Sequence, residues 1–324
     1  MIYHLTRGLL ALAWAIGLVL PVAANAEDFP ARPITLIVPF PAGSQPDTIA
    51  RFVAQHLSSR VGTTIIQNRP GAGGTTGTKA ASLAAPDGYT LVLGTTGSLG
   101  IGPAFFPNAG YDAVKSFTPV AMVSSAPFML VAGRAAPVAT ASEAIAYARA
   151  NPGKLSYSAA TGTPPHLGCE LFGRAAKVDI HRVAARGPQV MADLLAGEVQ
   201  LVCEATTIVL PQIQAGQVKP LATMHRTRIP QVPDVPTMAE LGMPGVEVSV
   251  WAGVLAPAGT PDELVRRLNR EINEALNSAE LRDALTKLGV EPMPLAPESF
   301  SALIAAEAGK WADLVEQSGE RAPK

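Results

Sequence analysis

The stretch ITLIVPFPAGSQPDTIARFVAQHLSSRVG, residues 34–62, determines the fold class of this 324-residue chain. Residues 34–40 are an uncharged run with the length and composition of a buried β-strand, and a Pro-, Gly- and Ser-containing loop follows at residues 41–46. Residues 47–61 place apolar side chains at helical spacing, and Gly62 ends that pattern. The stretch therefore predicts a strand, a loop and a helix in succession, the first part of a parallel β–α–β unit.

The same alternation continues and predicts an α/β fold. Residues 64–67 and 89–93 read as two more strands, with a Gly-rich turn and a small-residue helix between them. Strands that alternate with helices in this way form a parallel sheet with right-handed crossovers. A second α/β series follows between about residues 133 and 240, so we expect two α/β lobes.

The division between the lobes follows from where strand-like runs connect the two series. Residues 117–132 contain two such runs around a proline, and the chain returns near residues 240–257. We expect lobe 1 to begin with residues 27–124 and lobe 2 to be an insertion of residues 125–249. The return segment and C-terminal helices, residues 250–324, then belong largely to lobe 1.

Composition excludes several classes of protein. The 25 Lys and Arg residues against 26 Asp and Glu give a formal net charge of −1, without the basic excess typical of nucleic-acid-binding proteins. With 48% hydrophobic and 16% charged residues, the chain is not intrinsically disordered. Aromatic residues make up 5%, too few for a stacking platform for sugars or bases. We expect a globular protein that binds no nucleic acid.

The first 26 residues predict a secretory signal peptide. Arg7 supplies a positive charge, residues 9–20 are an uncharged apolar run, and Ala24-Asn25-Ala26 forms a small-x-small cleavage site. The run is shorter than the roughly 20 residues that span a bilayer, so a membrane anchor is the weaker interpretation. We expect cleavage after Ala26 and export of the remaining chain.

Two cysteines, Cys169 and Cys203, lie in the exported part of the chain. They cannot form a disulfide scaffold or a four-cysteine zinc site. An oxidising compartment permits a disulfide between them. Because one lies in a predicted helix and the other in a predicted buried strand, two separate small buried side chains are the favoured interpretation, and the disulfide remains the alternative.

Signatures of common enzymes are missing from the sequence. The chain has no HExxH or CxxC motif, and residues 97–100 (GSLG) lack the first glycine of a GxSxG nucleophile elbow. The histidines after residue 26 do not have metal-ligand spacing. Residues 71–77 are Gly-rich, but they fit neither a dinucleotide fingerprint nor a phosphate-binding loop, so we expect a tight turn there. We expect no catalytic residue, no metal site and no cofactor.

Two strand–loop–helix segments form the candidate ligand site. A helix N-terminus has unpaired N–H groups and a partial positive charge, which a loop of small residues exposes to an anion. In open α/β sheets, ligands lie beyond the carboxyl ends of the strands, so one loop per lobe predicts a small anion held between the lobes. Capping of the two helices by their polar residues is the alternative. The candidates are Pro41, Ala42, Gly43, Ser44, Gln45 and Asp47 in the first loop, and Ala160, Thr161, Gly162, Thr163 and His166 in the second.

Segments along the whole exported chain resemble one known family. They include FPARPITLIVPFPAGSQPDTIAR, NRPGAGGTTGTKAASLAAPDGYTLVLG, DLLAGEVQL, WAGVLAPAGTP and EAGKWADLVEQSG. In their number and order they are similar to the substrate-binding proteins of tripartite tricarboxylate transporters, the Bug family of periplasmic receptors. The resemblance implies a type II periplasmic-binding-protein fold, with two α/β lobes, a hinge and a central ligand cleft, and a location in the periplasm.

The resemblance assigns family ligand contacts, often made through bound water, to the two loops. In the first loop, Pro41, Gly43 and Asp47 match the family pattern. Ser44 stands where the family commonly has a second glycine, and Pro46 stands where it has Ser or Thr. Because Pro46 lacks an N–H group, this loop has one donor fewer than the family pattern implies.

The second loop also has fewer hydrogen-bond donors than the family pattern implies. Gly162 and His166 match, whereas Pro164 and Pro165 replace residues that are often Ser or Thr, which again removes donors. His166 has two interpretations, a ligand group or a structural residue at the start of the helix, and the second is favoured.

Five further residues are candidates for lining the cleft. Arg186 stands where the family commonly has Lys and could hold a carboxylate bidentately, with a solvated loop cation as the alternative. Glu204 stands where the family often has Asp after a strand, and it could accept hydrogen bonds from the solute or remain a surface charge. Thr95, Thr96 and Ser98 follow the third strand at its carboxyl end and could line the wall of lobe 1 or cap the next helix.

The resemblance implies a non-enzymatic receptor that closes on a small organic solute, most often a carboxylate or dicarboxylate. It also implies one large and one small integral membrane subunit as partners, in transport driven by an ion gradient. We expect the receptor itself to be a monomer. The alternatives are a receptor that presents its ligand to a sensor kinase and, less favoured, a secreted α/β hydrolase.

Overall fold

The computed structural model describes residues 29–185, 188–287, 289–319 and 321. The predicted signal peptide and Arg186 lie outside these residues. Among the helices in the described part of the chain, none is long and apolar enough to cross a membrane.

Ten strands in the described residues form one curled mixed sheet. Its main path runs β2-β1-β3-β9-β4-β7-β5-β6, and β8 and β10 also pair with β4. The strands are β1 (Ile34–Val38), β2 (Thr64–Asn68), β3 (Thr90–Thr95), β4 (Phe117–Gly133), β5 (Ser156–Ala159), β6 (His181–Ala184), β7 (Leu201–Ala205), β8 (Val218–Thr223), β9 (Ser249–Pro257) and β10 (Glu291–Pro292).

Helices pack against the sheet, and the longer ones do so through an apolar face. In the C-terminal part, Val265, Leu268, Ile272 and Leu276 recur every three or four residues and are all buried. The helices are α1 (Gln45–Arg60), α2 (Thr75–Ser82), α3 (Gly102–Phe105), α4 (Ala141–Ala150), α5 (Pro164–Ala176), α6 (Gln189–Ala196), α7 (Thr206–Gln214), α8 (Asp262–Asn277), α9 (Ala279–Lys287) and α10 (Pro297–Ser318).

The predicted parallel pairing is confirmed in both lobes. In lobe 1, β1 pairs in parallel with β2 and β3, and Leu36 lies opposite Leu91 in the register. In lobe 2, β5 pairs in parallel with β6 and β7. The carboxyl ends of β1 and β5, which lead into the two candidate loops, are therefore the kind of strand end beyond which open α/β sheets bind ligands.

Strand β4 passes from one lobe to the other without a break. Its residues 117–127 pair with β9, and residues 128–133 pair with β7 and β8. The prediction of two separate runs around Pro127 is wrong, since β4 is one strand of 17 residues. Pro127 is the last residue to pair with β9, so its missing N–H group falls where the strand changes partner.

Two consecutive helical segments, at Thr96–Ile101 and Gly102–Phe105, were not predicted from the sequence. A turn of π-helix at Thr96–Ile101 follows β3 and leads directly into α3. Its sequence, TGSLGI, contains two glycines and reads as a loop. Packing overrides that local preference, because Leu99 and Ile101 are both almost completely buried.

Cys169 in α5 and Cys203 in β7 form a disulfide, with a Cα–Cα distance of 5.5 Å. The favoured prediction of two separate buried side chains is wrong. Residue spacing along the chain could not decide this, because it does not reveal that α5 crosses β7 at these two positions.

Candidate functional site

A cleft of about 200 Å³ lies between the two lobes. The start of α1 and the end of β3 line it from lobe 1, and the start of α5 lines it from lobe 2. Paired residues of β4 and β9 form its floor. The lining residues in the described part of the chain are Phe40, Gln45, Pro46, Ile49, Thr95, Gly97, Ser124, Ala126, Pro164, Val250, Trp251, Ala252 and Val290.

The first candidate loop is held by the carboxylate of Asp47, which is 1% exposed. Its Oδ2 accepts the N–H of Gly43 at 2.9 Å and Nε of Arg51 at 2.9 Å, and its Oδ1 accepts Nδ2 of Asn68 at 2.8 Å. The Ser44 hydroxyl donates to the carbonyl of Pro41 at 2.7 Å. These hydrogen bonds are made within the protein and hold the loop in its conformation. The Asp47 side chain is therefore a positioning residue and is not directed at a ligand.

Burial of Asp47 opposes ionisation, but the hydrogen bonds from Arg51, Asn68 and the Gly43 N–H outweigh this effect. The net result is a pKa below the ordinary range for Asp. Asp47 is therefore ionised at neutral pH, and its charge is paired with Arg51 beside the start of α1.

The second candidate loop repeats this construction in lobe 2. Nδ1 of His166 accepts the N–H of Gly162, four residues earlier, at 3.2 Å, as Asp47 accepts that of Gly43. The Thr163 hydroxyl donates to the carbonyl of Ala160, three residues earlier, at 2.6 Å, as in the first loop. His166 is 1% exposed, in agreement with the structural role favoured for it.

The other loop candidates lie at different depths. Gln45 lines the cleft, whereas Pro41 and Ala42 are exposed and outside its lining. Thr161 is also exposed, and its hydroxyl accepts Nη1 of Arg182 at 2.8 Å. Gly162 packs against the ring of Phe105, which brings the second loop into contact with lobe 1.

Thr95, Thr96 and Ser98 mainly stabilise the unpredicted π-helical turn. The Thr95 hydroxyl accepts the Ser98 N–H at 3.3 Å, and the Ser98 hydroxyl accepts the Thr95 N–H at 3.1 Å, which is a reciprocal cap. The Thr96 hydroxyl accepts the N–H of Trp251 at 2.9 Å and so attaches this turn to β9. Of the three residues, only Thr95 lines the cleft.

Glu204 lies near the end of β7 and is 7% exposed, but it is not part of the cleft lining. Burial raises the pKa of its carboxyl to about 7, and a hydrogen bond from the N–H of Ala205 at 3.1 Å only partly offsets this. The alternative of a surface charge is thus wrong for Glu204.

The residues of the cleft floor were not predicted from the sequence. Ser124 lies opposite Ala252 across the β4–β9 pair, and Ala126 lies opposite Val250. Side chains on paired residues share a face, so these four side chains form one surface. Only the strand-like character of the two segments pointed to them, because small apolar residues carry no chemical signature of a site.

Ionisable side chains are absent from the described lining of the cleft. Within the described ranges, no group of three or more His, Cys, Asp or Glu side chains is close enough together to hold a metal ion. The arrangement thus offers backbone donors, hydroxyls, one amide and an apolar surface.

Comparison with known proteins places this architecture in a family. Residues 49–320 match the model of the tripartite tricarboxylate transporter family receptor. Protein BugT of Bordetella pertussis is 37% identical over 309 residues, which cover 94% of each chain.

Solved structures agree with this match. A protein of R. palustris solved with adipate is 34% identical, with a TM-score of 0.77 over 90% of this chain and 99% of that one. MatC from Rhodopseudomonas palustris, solved with bound malate, is 36% identical, with a TM-score of 0.74 over 89% of this chain and all of the other. The two lobes, the crossing strands and the interlobe cleft therefore form a type II periplasmic-binding-protein fold. The chain belongs to the tripartite tricarboxylate transporter receptor family and is a periplasmic solute-binding receptor.

Proposed function

We propose that this receptor captures a small organic carboxylate between its lobes and delivers it to a tripartite secondary transporter. The observation that carries the proposal is that two loops of the same construction, one from each lobe, flank a single cleft. The adipate and malate in the two R. palustris structures support a carboxylate as the ligand.

The start of α1 is the main site of attraction for the carboxylate. The first N–H groups of a helix have no partner within the helix, and they carry its partial positive charge. Gln45 and Pro46 bring this end of α1 into the cleft. The Asp47 carboxylate does not repel the ligand strongly, because its charge is paired with Arg51.

Capture requires movement of the lobes. The proposed lobes consist of residues 27–124 with 250–324 and of residues 125–249. The strands β4 and β9 support this division, because the chain crosses between the lobes near them. A ligand that contacts both loops stabilises the closed form more than the open form and shifts the population toward closure. Export after cleavage at Ala26 would place this receptor in the periplasm, and two integral membrane subunits would accept its ligand.

A thermal-shift screen of the exported chain tests the proposal. Carboxylates of four to six carbons should raise the melting temperature, since a ligand at 100 times its Kd stabilises the folded state by about 2.7 kcal/mol. Native mass spectrometry should then recover the ligand chemically unchanged. Stabilisation by uncharged sugars alone, or conversion of the ligand, would contradict the proposal.

A matched pair of variants locates the ligand. Gln45→Glu puts a negative charge in the cleft lining and should abolish the shift caused by carboxylates. Gln55→Glu makes the same change at an exposed position of the same helix, outside the cleft, and should leave the shift intact. Equal effects of the two variants would place the ligand elsewhere.

Delivery is tested separately with the two membrane subunits in proteoliposomes. Uptake of the ligand should need both this receptor and an ion gradient, and it should proceed without ATP. Uptake that is independent of the receptor would contradict its role in transport.

A further inference from the structure

The cleft floor is mostly apolar. Ala126, Val250 and Ala252 present only hydrocarbon from β4 and β9, and each is either buried or half-buried. Ile49 and Val290 extend the apolar surface on the walls. Val250 is half-buried and the other four are buried, so a ligand that covers this surface with hydrocarbon gains mainly by removing its own apolar area from water, whereas a charged group placed there loses its hydration.

Several polar groups of the loops are already used within the loops. The N–H groups of Gly43 and Gly162 donate to Asp47 and His166. The hydroxyls of Ser44 and Thr163 donate to carbonyls of their own loops. These groups hold the shape of the loops and are not available as donors to a ligand unless the loops rearrange.

The two helix starts differ in the donors that they retain. Helix α1 has proline only at its second position, so the N–H groups of Gln45 and Asp47 remain at its start. Helix α5 begins with Pro164 and Pro165, so its first two positions have no N–H to offer. The anion-binding capacity of the cleft is therefore concentrated on the side of lobe 1.

One further donor lines the same cleft. Ser124 is 2% exposed, lines the cleft, and its hydroxyl makes no hydrogen bond with any described residue. Its oxygen is not among the fully buried side-chain atoms that lack a partner in the described chain, so it is accessible from the cleft and can donate to a ligand that enters. The side-chain amide of Gln45, which also has no partner in the described chain, adds another donor.

We infer that the preferred ligand is a monocarboxylate with an apolar body, of about the size of benzoate or hexanoate. The inference rests on the proposed function and narrows its substrate class. The carboxylate lies at the start of α1 with Ser124 and Gln45, and the hydrocarbon covers Ala126, Val250 and Ala252. The size fits, since cavities of roughly 150 Å³ hold a benzene ring and this cleft has about 200 Å³.

Matched ligands test the inference by isothermal titration calorimetry. Hexanoate and adipate have the same number of carbons but one and two carboxylates. Hexanoate and benzoate should bind at least about 10-fold more tightly than adipate and about 100-fold more tightly than malate, because a second carboxylate lacks donors. Hexanamide should not bind detectably.

The failure of this inference can be distinguished from failure of the proposed function. Tighter binding of malate or adipate than of hexanoate overturns the apolar monocarboxylate but leaves a carboxylate receptor. Equal binding of hexanoate and hexanamide, or binding of no carboxylate at all, overturns the proposed function itself.

Variants test which residues set the preference. Ser124→Ala should weaken hexanoate binding about 10-fold, which is the effect of losing one hydrogen bond to a charged group. Pro164→Ser with Pro165→Ser restores two N–H groups and should improve adipate binding relative to hexanoate by about 10-fold. Pro297→Ser changes a proline at the start of α10, outside the cleft, and serves as the control. An unchanged preference in the double variant, with the fold intact, would contradict the role of the prolines.

Discussion

The ring of Phe105 occupies the space that a side chain at Gly162 would need. A Cβ atom built on Gly162 lies 2.6 Å from Cε1 and Cζ of Phe105, closer than carbon atoms can approach. Phe105 belongs to α3 in lobe 1, and Gly162 belongs to the second candidate loop in lobe 2. The two lobes therefore touch through a ring against a bare backbone, at the edge of the ligand cleft.

We expect Gly162→Ala to weaken ligand binding by 10-fold or more, because the added methyl group keeps the second loop away from lobe 1. Calorimetry with the best ligand from the screen measures the change.

Gly153→Ala is the matched control. Gly153 has φ +71° against +70° for Gly162, but it has open space around it. Both variants lose about 1 kcal/mol of stability from the left-handed backbone, and only Gly162→Ala should lose affinity. Phe105→Leu in the Gly162→Ala background should restore part of the affinity, and failure to do so would contradict the steric explanation.

Asp47→Asn should destabilise the protein by about 2–4 kcal/mol at pH 7, because it leaves the Arg51, Asn68 and Gly43 donors without their carboxylate. The pKa of Asp47 is lower in the folded than in the unfolded chain, so its stabilisation is present above about pH 4 and disappears as the pH falls through the folded value. Urea unfolding at pH 7 and pH 3 should show that the difference in free energy of unfolding between variant and wild type is smaller at pH 3.

The exposed ion pair of Asp87 with Arg32 provides the control, since Asp87→Asn should change stability by less than about 1 kcal/mol. A constant difference for Asp47→Asn at both pH values would contradict the ionised network.

Glu204 should affect the stability of the protein with a pH dependence opposite to that of Asp47, and Glu204→Gln should remove this effect. The pKa of Glu204 is raised to about 7 in the folded chain, so the folded state holds a proton that the unfolded state releases near pH 4.3. The wild type is stabilised below the unfolded value and loses this contribution as the pH rises to about 7, by up to about 3 kcal/mol. Gln cannot ionise, so urea unfolding between pH 5 and pH 8 should give a flatter stability curve for the variant. Parallel curves would indicate that Glu204 is ionised throughout this range.

Removing the Cys169–Cys203 disulfide should lower the stability of lobe 2. The bond closes a segment with a sequence separation of 34, for which the loss of unfolded-chain entropy corresponds to about 3–4 kcal/mol. Melting of the oxidised chain should therefore shift to lower temperature when a reductant is added. The double variant Cys169→Ala, Cys203→Ala should melt at the lower temperature with or without reductant. A wild-type melting temperature that is insensitive to reductant would contradict the disulfide.

The two candidate loops could be located from the sequence because a buried run, a small-residue loop and a helical pattern follow one another within about 25 residues. The direction in which their polar side chains point could not be predicted from the sequence. Asp47 and His166 point inward to hold Gly43 and Gly162, and this depends on the folded path of the loop rather than on residue type. A short polar residue at a helix start is compatible with a cap, a brace for the loop or a ligand contact.

The cleft floor could not be predicted for a different reason. Ser124 and Ala252 are more than 120 positions apart in the chain, and they meet only because β4 and β9 pair in a particular register. A shift of one residue in that register would turn every floor side chain to the opposite face. The disulfide is a similar case, since it depends on where α5 crosses β7.

The continuous path of β4 has a consequence for the order of binding. Ser124 and Ala126 precede the point at which β4 changes partner, so the floor lies on the strands that connect the two lobes. If the lobes close as we propose, a ligand can contact the floor before closure, whereas simultaneous contact with Gln45 and Pro164 requires closure. We expect changes in the floor to weaken binding to the open and the closed receptor alike, and changes in the two loops to act only on the closed receptor and so to raise mainly the dissociation rate. Ligand choice and ligand retention are thereby assigned to different parts of the same cleft.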